Sequence, residues 1–293
     1  MLRHMKRALS LLLLLVTASC RMGYGPLEDH SEFVSTRLSD DKTTAIFSFH
    51  RYAYRQATGI RAFPDGGIPY YDRDINILGT YNLQTQKLRI LKREKNSEWC
   101  PGSGMFYIHS IKGNKALINQ GGQLRGPFKL AGKYILLDFV SGTTLDLDLN
   151  SDLAKRGRDT GQIYLTDTNG TLVFVNVSLD EAKNPKAHRD KTIIPELWVR
   201  TSGGDYLKAA ASSHYERTLN GEVIYWEPST RDFMAFSITG RTTRKVPGYK
   251  VPDFEDVYAG VSLSSNRKGL ESGLKINGKW EYTPLNLNPD VLK

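Results

Sequence analysis

Only two cysteines, Cys20 and Cys100, stand among 293 residues, so no multi-bridge disulfide scaffold holds this chain together. Long apolar runs are scarce as well. The longest, Leu9–Val16, is less than half of the roughly 20 apolar residues of a spanning helix. The histidines His50, His109, His188 and His214 are scattered without metal-ligand spacing. No nucleic-acid-reading motif, glycine-rich phosphate loop or kinase catalytic spacing is present, and "HRD" at His188–Asp190 has no Asn at the required distance. The Ser-x-x-Lys matches at Ser39 and Ser265 come without the companion motifs of acyl-enzyme hydrolases. "RDTGQ" at Arg158–Gln162 holds an Asp-Thr-Gly, but Arg156 and Arg158 precede it and no second copy supplies a partner carboxylate, so it reads as a polar turn.

What is present begins at the N-terminus. Arg3, Lys6 and Arg7 form a basic front, Leu9–Val16 an apolar run, and Thr17, Ala18 and Ser19 a small-residue end before Cys20. That layout predicts an export signal over 1–19. Thr17-Ala18-Ser19-Cys20 resembles the lipobox of bacterial lipoproteins, with Thr17 where Leu is usual. The resemblance implies a lipidated Cys20 as mature N-terminus and, with Arg21 rather than Asp following, an outer-membrane address. Acyl chains contribute about 0.8 kcal/mol per buried methylene, enough for several to anchor a body without a spanning helix. Cleavage after Ala18 instead would give a soluble exported protein, in which Cys20 and Cys100 are free to pair.

The formal charge is +9 from 40 basic and 31 acidic residues. The leader holds three of the basic residues and no acid, so the 274 residues after it carry 37 against 31, or +6. A mild positive charge favours anionic envelope surfaces without demanding them. Residues 20–41 are polar and include Gly25-Pro26, which predicts a flexible tether of roughly 25 Å.

From Lys42 to the C-terminus the pattern is β: aromatic and β-branched runs divided by Gly, Asn, Asp and Pro. Tyr206–Gly248 reads as four short strands, "YLKAAASSHYE", "EVIYWEP", "FMAFSIT" and "TTRKVP", the length of one propeller blade; its Ala-rich first part also fits a helix capped by Asp205. "INILGTYNLQTQKLRIL" is a hairpin with its tip at Gln84–Gln86, and Asn169-Gly170 and Asn277-Gly278 mark two more. The first of these resembles the closing strands of many propeller blades, and Gly66-Gly67 resembles the double glycine of kelch blades, with Leu88 at their Trp position. Helix signals are short: "SDLAKRG", and a capping box at Ser178 and Glu181. The expected fold over 42–293 is therefore all-β and β-propeller-like, with four to six four-stranded blades; paired β-sandwich domains are the rival architecture.

Candidate site residues follow from residue type. Tyr70, Tyr71, Trp99 and Trp226 lie near turns or strand ends, where aromatics stack on sugars or anchor protein partners. Asp146, Asp148, Asn150 and Asp152 have calcium-loop spacing, but Ser151 and Gly157 occupy the places of its Gly and Glu. Alternation with Leu145, Leu147 and Leu149 fits a strand with leucines inward instead. Asp72, Asp74 and Glu227 are the carboxylates a propeller glycosidase would gather. No pattern calls for a cofactor. The expectation is an envelope-anchored lipoprotein with a binding or scaffolding role, its partners the membrane, through lipid, and an envelope protein or glycan. The alternatives are a propeller-type glycoside hydrolase and a soluble periplasmic ligand-binding protein.

Overall fold

The computed structural model describes residues 23–58, 70–95, 104–121, 133–182, 195–212, 214–251, 259–264, 269–276, 279–285, 287 and 292. Their strands form five antiparallel sheets, each a meander whose order follows the chain. The first holds β1 (Gly23–Leu38), β2 (Thr44–Thr58), β3 (Tyr70–Asn82) and β4 (Leu88–Lys95). The second holds β5 (Met105–Lys112), β6 (Lys115–Gly121), β7 (Lys133–Asp138) and β8 (Thr144–Leu147). The third comprises β9 (Gln162–Leu165), β10 (Leu172–Asn176), β11 (Glu196–Arg200) and β12 (Tyr206–Ala210). The fourth comprises β13 (His214–Leu219), β14 (Glu222–Glu227), β15 (Asp232–Ser237) and β16 (Thr243–Lys245). The fifth has β17 (Ala259–Leu263), β18 (Leu270–Ile276) and β19 (Lys279–Pro284). Among the described residues two short helices, α1 (Leu149–Ala154) and α2 (Leu179–Ala182), sit between strands. The Ser178–Glu181 capping box forms at α2: the Glu181 N–H donates to Ser178 Oγ, and the Ser178 N–H to Glu181 Oε2.

Period-2 alternation explains how the sheets stack. On β6, Ala116 and Ile118 face Ile46 and Leu78 of the first sheet, while Leu117 between them faces Ile163, Leu165, Leu172 and Phe174 of the third. On β10, Phe174 joins that same core and Val173 turns to Val223, Tyr225 and Phe236 of the fourth sheet. A sheet that buries both faces against two different sheets is a blade in a series. In a sandwich each sheet would have one inner face. The first strands β1, β5 and β9 of consecutive sheets are neighbours, and β1 also lies against β17. Phe33, Phe47 and Phe49 share a core with Leu270 and Leu292, so the end of the chain packs on its beginning. The body is all-β and propeller-like.

The first strands also share an irregularity. Val34, His109 and Glu216 are each an extra residue between consecutive cross-strand partners, a β-bulge repeated in β1, β5 and β13. The serine after the first two bulges joins neighbouring sheets: the Ile108 N–H donates to Ser35 Oγ, and the Leu165 N–H donates to Ser110 Oγ.

Three sequence expectations change. Most of the expected tether is strand: Gly23–Leu38 pairs along β2. Pro26 is accommodated at a register shift on this edge strand, where no N–H is needed. "YLKAAASSHYE" is neither one strand nor a helix. Its first half is β12, the last strand of the third sheet, and its second half opens the fourth, so the blade starts at His214. In "LDLDLNSD", Leu147 and Leu149 are buried, but Leu145 is 53% exposed and Leu149 already begins α1.

Candidate functional site

The first sheet is out of proportion to the rest. β1, β2 and β3 run 16, 15 and 13 residues, and the longest described strands elsewhere reach 8. The bonds from Ile108 to Ser35 and from the Gly113 N–H to Asp40 show β1 and β5 running in one direction. Because β5 starts at Met105, Gly23–Ser31 of β1 extends beyond it, about 30 Å of strand at 3.4 Å per residue.

Side chains on one face of this long end form a ladder. Across β1 and β2 the register pairs Glu28 with Tyr54, His30 with Tyr52 and Glu32 with His50. The rings stack: His30 lies 5.2 Å from both Tyr52 and Tyr54, and Tyr52 lies 4.8 Å from His50, with interplanar angles of 13–25°. Tyr54 donates its hydroxyl to Glu28 at 3.0 Å, and the His30 ring meets the same carboxylate at 3.3 Å. At the inner end His50 Nε2 meets Asp74 Oδ1 at 2.8 Å, with both residues 3% exposed. The carboxylate fixes the orientation of the imidazole, while Nδ1 has no hydrogen-bond partner among the described residues. At the outer end His30 and Glu28 are about two-fifths exposed. The opposite face is different: Asp29 receives a two-pronged bond from Arg51, which holds its carboxyl below the usual range.

This arrangement offers flat, nearly parallel rings flanked by carboxylates and an imidazole. Rings of this kind stack on the C–H face of a sugar or on another aromatic, and the flanking groups accept hydroxyl protons.

The expected site residues are dispersed. Tyr70 and Tyr71 open β3 at the same long end, Tyr71 opposite Tyr54. Trp99 lies outside the described residues, as do Cys20 and Cys100. Trp226 is in the fourth sheet, edge-on to Phe233 at 5.0 Å, where it serves packing within its own blade. Asp74 belongs to the ladder. Glu227 is in the fourth sheet and accepts from the Ser229 hydroxyl, so these two do not form a hydrolytic pair. The backbone of Asp72 falls at a register shift of β3.

The calcium-like spacing also comes apart. Asp146 pairs with Lys133, Asn150 accepts from Thr160, Asp152 accepts from Tyr206, and Asp148 precedes α1. Among the described residues no group of three or more His, Cys, Asp or Glu is placed to hold a metal ion. No described helix is long and apolar enough to cross a membrane. His30, His50, Tyr52 and Tyr54 did not stand out in the sequence, although the alternation in "FHRYAYR" puts His50, Tyr52 and Tyr54 on one strand face.

No protein-family model matches the chain, and no curated protein matches it. Among solved structures it is similar to an oligogalacturonate lyase in complex with manganese, at 10% identity and TM-score 0.37, covering 89% of this chain and 67% of that one. An oligogalacturonate lyase from Vibrio parahaemolyticus gives 8% identity and TM-score 0.35, covering 86% of this chain and 65% of that one. A Pyrococcus horikoshii acylaminoacyl peptidase gives 11% and 0.33, with 83% of this chain covered. The chain spans about two thirds of the two lyases and 43% of the peptidase. These likenesses are loose, and the fold rests on the sheets and shared cores above.

Proposed function

We propose that this is an exported envelope protein, held at a membrane by lipid on Cys20, that binds a glycan of the envelope through the long end of its first sheet. The observation that carries the binding role is the His30–Tyr52–Tyr54 stack on strands about twice as long as the longest described strand of the other sheets. A polar strand of 16 residues, with His30 stacked on Tyr52 and Tyr54 of the neighbouring β2, suits contact with an extended sugar chain. The +6 charge after the leader favours an acidic surface. The address rests on the basic, apolar and small-residue segments that lead to Cys20.

The anchor is tested by the intact mass of the mature N-terminus from membrane and soluble fractions, wild type beside Cys20→Ala. A diacylglyceryl mass on Cys20, with release of the variant, supports it. An unmodified N-terminus removes the anchor and leaves a soluble exported binder.

A second reading comes from the His50–Asp74 pair. A buried carboxylate orienting an imidazole, with the second nitrogen unspent, is also how a general base is built. Turnover of an envelope glycan by the purified protein, lost in His50→Gln with binding retained, would favour an enzyme. Glycan binding without turnover favours the first reading.

A further inference from the structure

A second feature lies at the opposite rim. Between the second and third sheets is a cavity of about 150 Å³, bounded by the β7–β8 and β9–β10 turns and the end of β11. That is about ten times the 10–15 Å³ that one water requires. Two cations line it: Lys115, first residue of β6, and Arg200, last residue of β11. Among the described residues neither has a carboxylate within ion-pair distance, whereas Lys112, Lys133 and Lys245 at other strand ends do. Arg200 Nε is buried and has no hydrogen-bond partner among the described residues. A buried guanidinium N–H left without an acceptor is costly.

The carboxylate in the cavity wall does not fill that need. Asp138 Oδ1 accepts from the backbone N–H groups of Val140 and Ser141, and Oδ2 accepts from the Asn114 amide. Its oxygens hold the β7–β8 turn. Asn169 and Ser202 add neutral polar groups to the lining. The cavity therefore combines two positive charges that have no ion-pair partner among the described residues with a local charge of +1 once Asp138 is counted.

We infer that this cavity binds a small tetrahedral oxyanion, phosphate or sulfate, with Arg200 presenting its fork to two oxygens and Lys115 its ammonium to a third. Arginine's planar donors match two oxyanion oxygens, and lysine acts as a point charge. Because Lys115 comes from the second sheet and Arg200 from the third, the ion would tie two blades together at their rim. The site shares no residue with the stacked rings of the first sheet and does not depend on their role.

The test is calorimetric titration of the full chain, as it purifies, with inorganic phosphate and then sulfate at constant ionic strength in chloride. The expected result is one saturable site per chain for each ion, weakened about tenfold or more in Arg200→Gln and in Lys115→Gln. Lys115→Gln is at a half-buried position and keeps the cavity wall, so it remains informative if Arg200→Gln folds poorly. Melting in chloride alone reports whether either variant is folded. Heat no different from that with added chloride overturns the inference, and so does equal affinity in a folded Lys115→Gln and the wild type.

Discussion

Leu292 lies outside every strand, eight residues past the end of β19 at Pro284. Here it is 1% exposed and packs with Phe33, Phe47 and Phe49 of the first sheet. Fully burying a leucine contributes about 1.5–3 kcal/mol, and truncation to alanine adds the cost of the space left behind, for a usual total of about 2–5 kcal/mol. Partly buried Val261, Leu285 and Leu287 pack against the same core and can settle into the gap, which puts Leu292→Ala near the lower end, at about 2–3 kcal/mol. For a domain of this size each kcal/mol lowers the melting point by roughly 2–4 °C, so the variant should melt roughly 4–12 °C below wild type. Leu145→Ala is the control: the same chemistry at a side chain 53% exposed, expected within about 0.5 kcal/mol of wild type. Thermal unfolding followed by near-ultraviolet circular dichroism and tryptophan fluorescence measures both. Equal melting points for the two variants would refute the packing of the chain end on the first sheet, and with it the return of the last blade to the first.

Gly161 has φ +56°, and a Cβ there would stand 2.1 Å from the Val175 carbonyl oxygen, whereas Gly157 has φ +71° with nothing near. Gly161→Ala should cost about 2–4 kcal/mol and Gly157→Ala about 1–2, read from urea midpoints; equal costs would refute the close approach. Burial pushes Glu196 up, but hydrogen bonds from Lys208 and Trp198 and the charge of Arg158 outweigh it and hold the carboxyl below its usual range. A depressed folded value stabilises above the unfolded value and is lost as pH falls through the folded one. Melting between about pH 5 and pH 3 should therefore fall less steeply in Glu196→Gln than in wild type. Asp74→Ala, which strips the acceptor from buried His50 Nε2, should destabilise by about 1–3 kcal/mol, with Asp74→Asn costing less, as measured by urea unfolding.

The parts of this fold that were legible in the sequence are those where local chemistry and period agree. The Gln84–Gln86 tip is held as a turn because Asn82 Oδ1 accepts from the N–H groups of Gln84 and Thr85. Ser178 and Glu181 cap α2 as their spacing requires. The order of the sheets was harder to read. "YLKAAASSHYE" gives no break, yet the chain leaves one blade for the next between β12 and β13; Ser212 marks the spot by donating to the Trp226 carbonyl and accepting from the His214 N–H. β1 reads as a tether because its outer half, Gly23–Ser31, is mostly polar and shows no apolar alternation. The ladder was invisible for a related reason. His30 and Asp74 are 44 positions apart in the numbering and meet only through the register of β1, β2 and β3. Asn169-Gly170 and the acidic run at Asp146–Asp152 had equally clear local patterns. The first gives a turn, while the second distributes its carboxylates among Lys133, Tyr206 and α1.

The central claim is that the long end of the first sheet is a binding face. It is tested most directly by co-sedimenting the soluble Cys20→Ala protein with glycan sacculi stripped of envelope protein, beside the same protein carrying His30→Ala, Tyr52→Ala and Tyr54→Ala. The account predicts saturable co-sedimentation that falls about tenfold or more in the triple variant, at a melting point that shows the body still folded. Undiminished binding by a folded triple variant, or no binding by the parent, would contradict it.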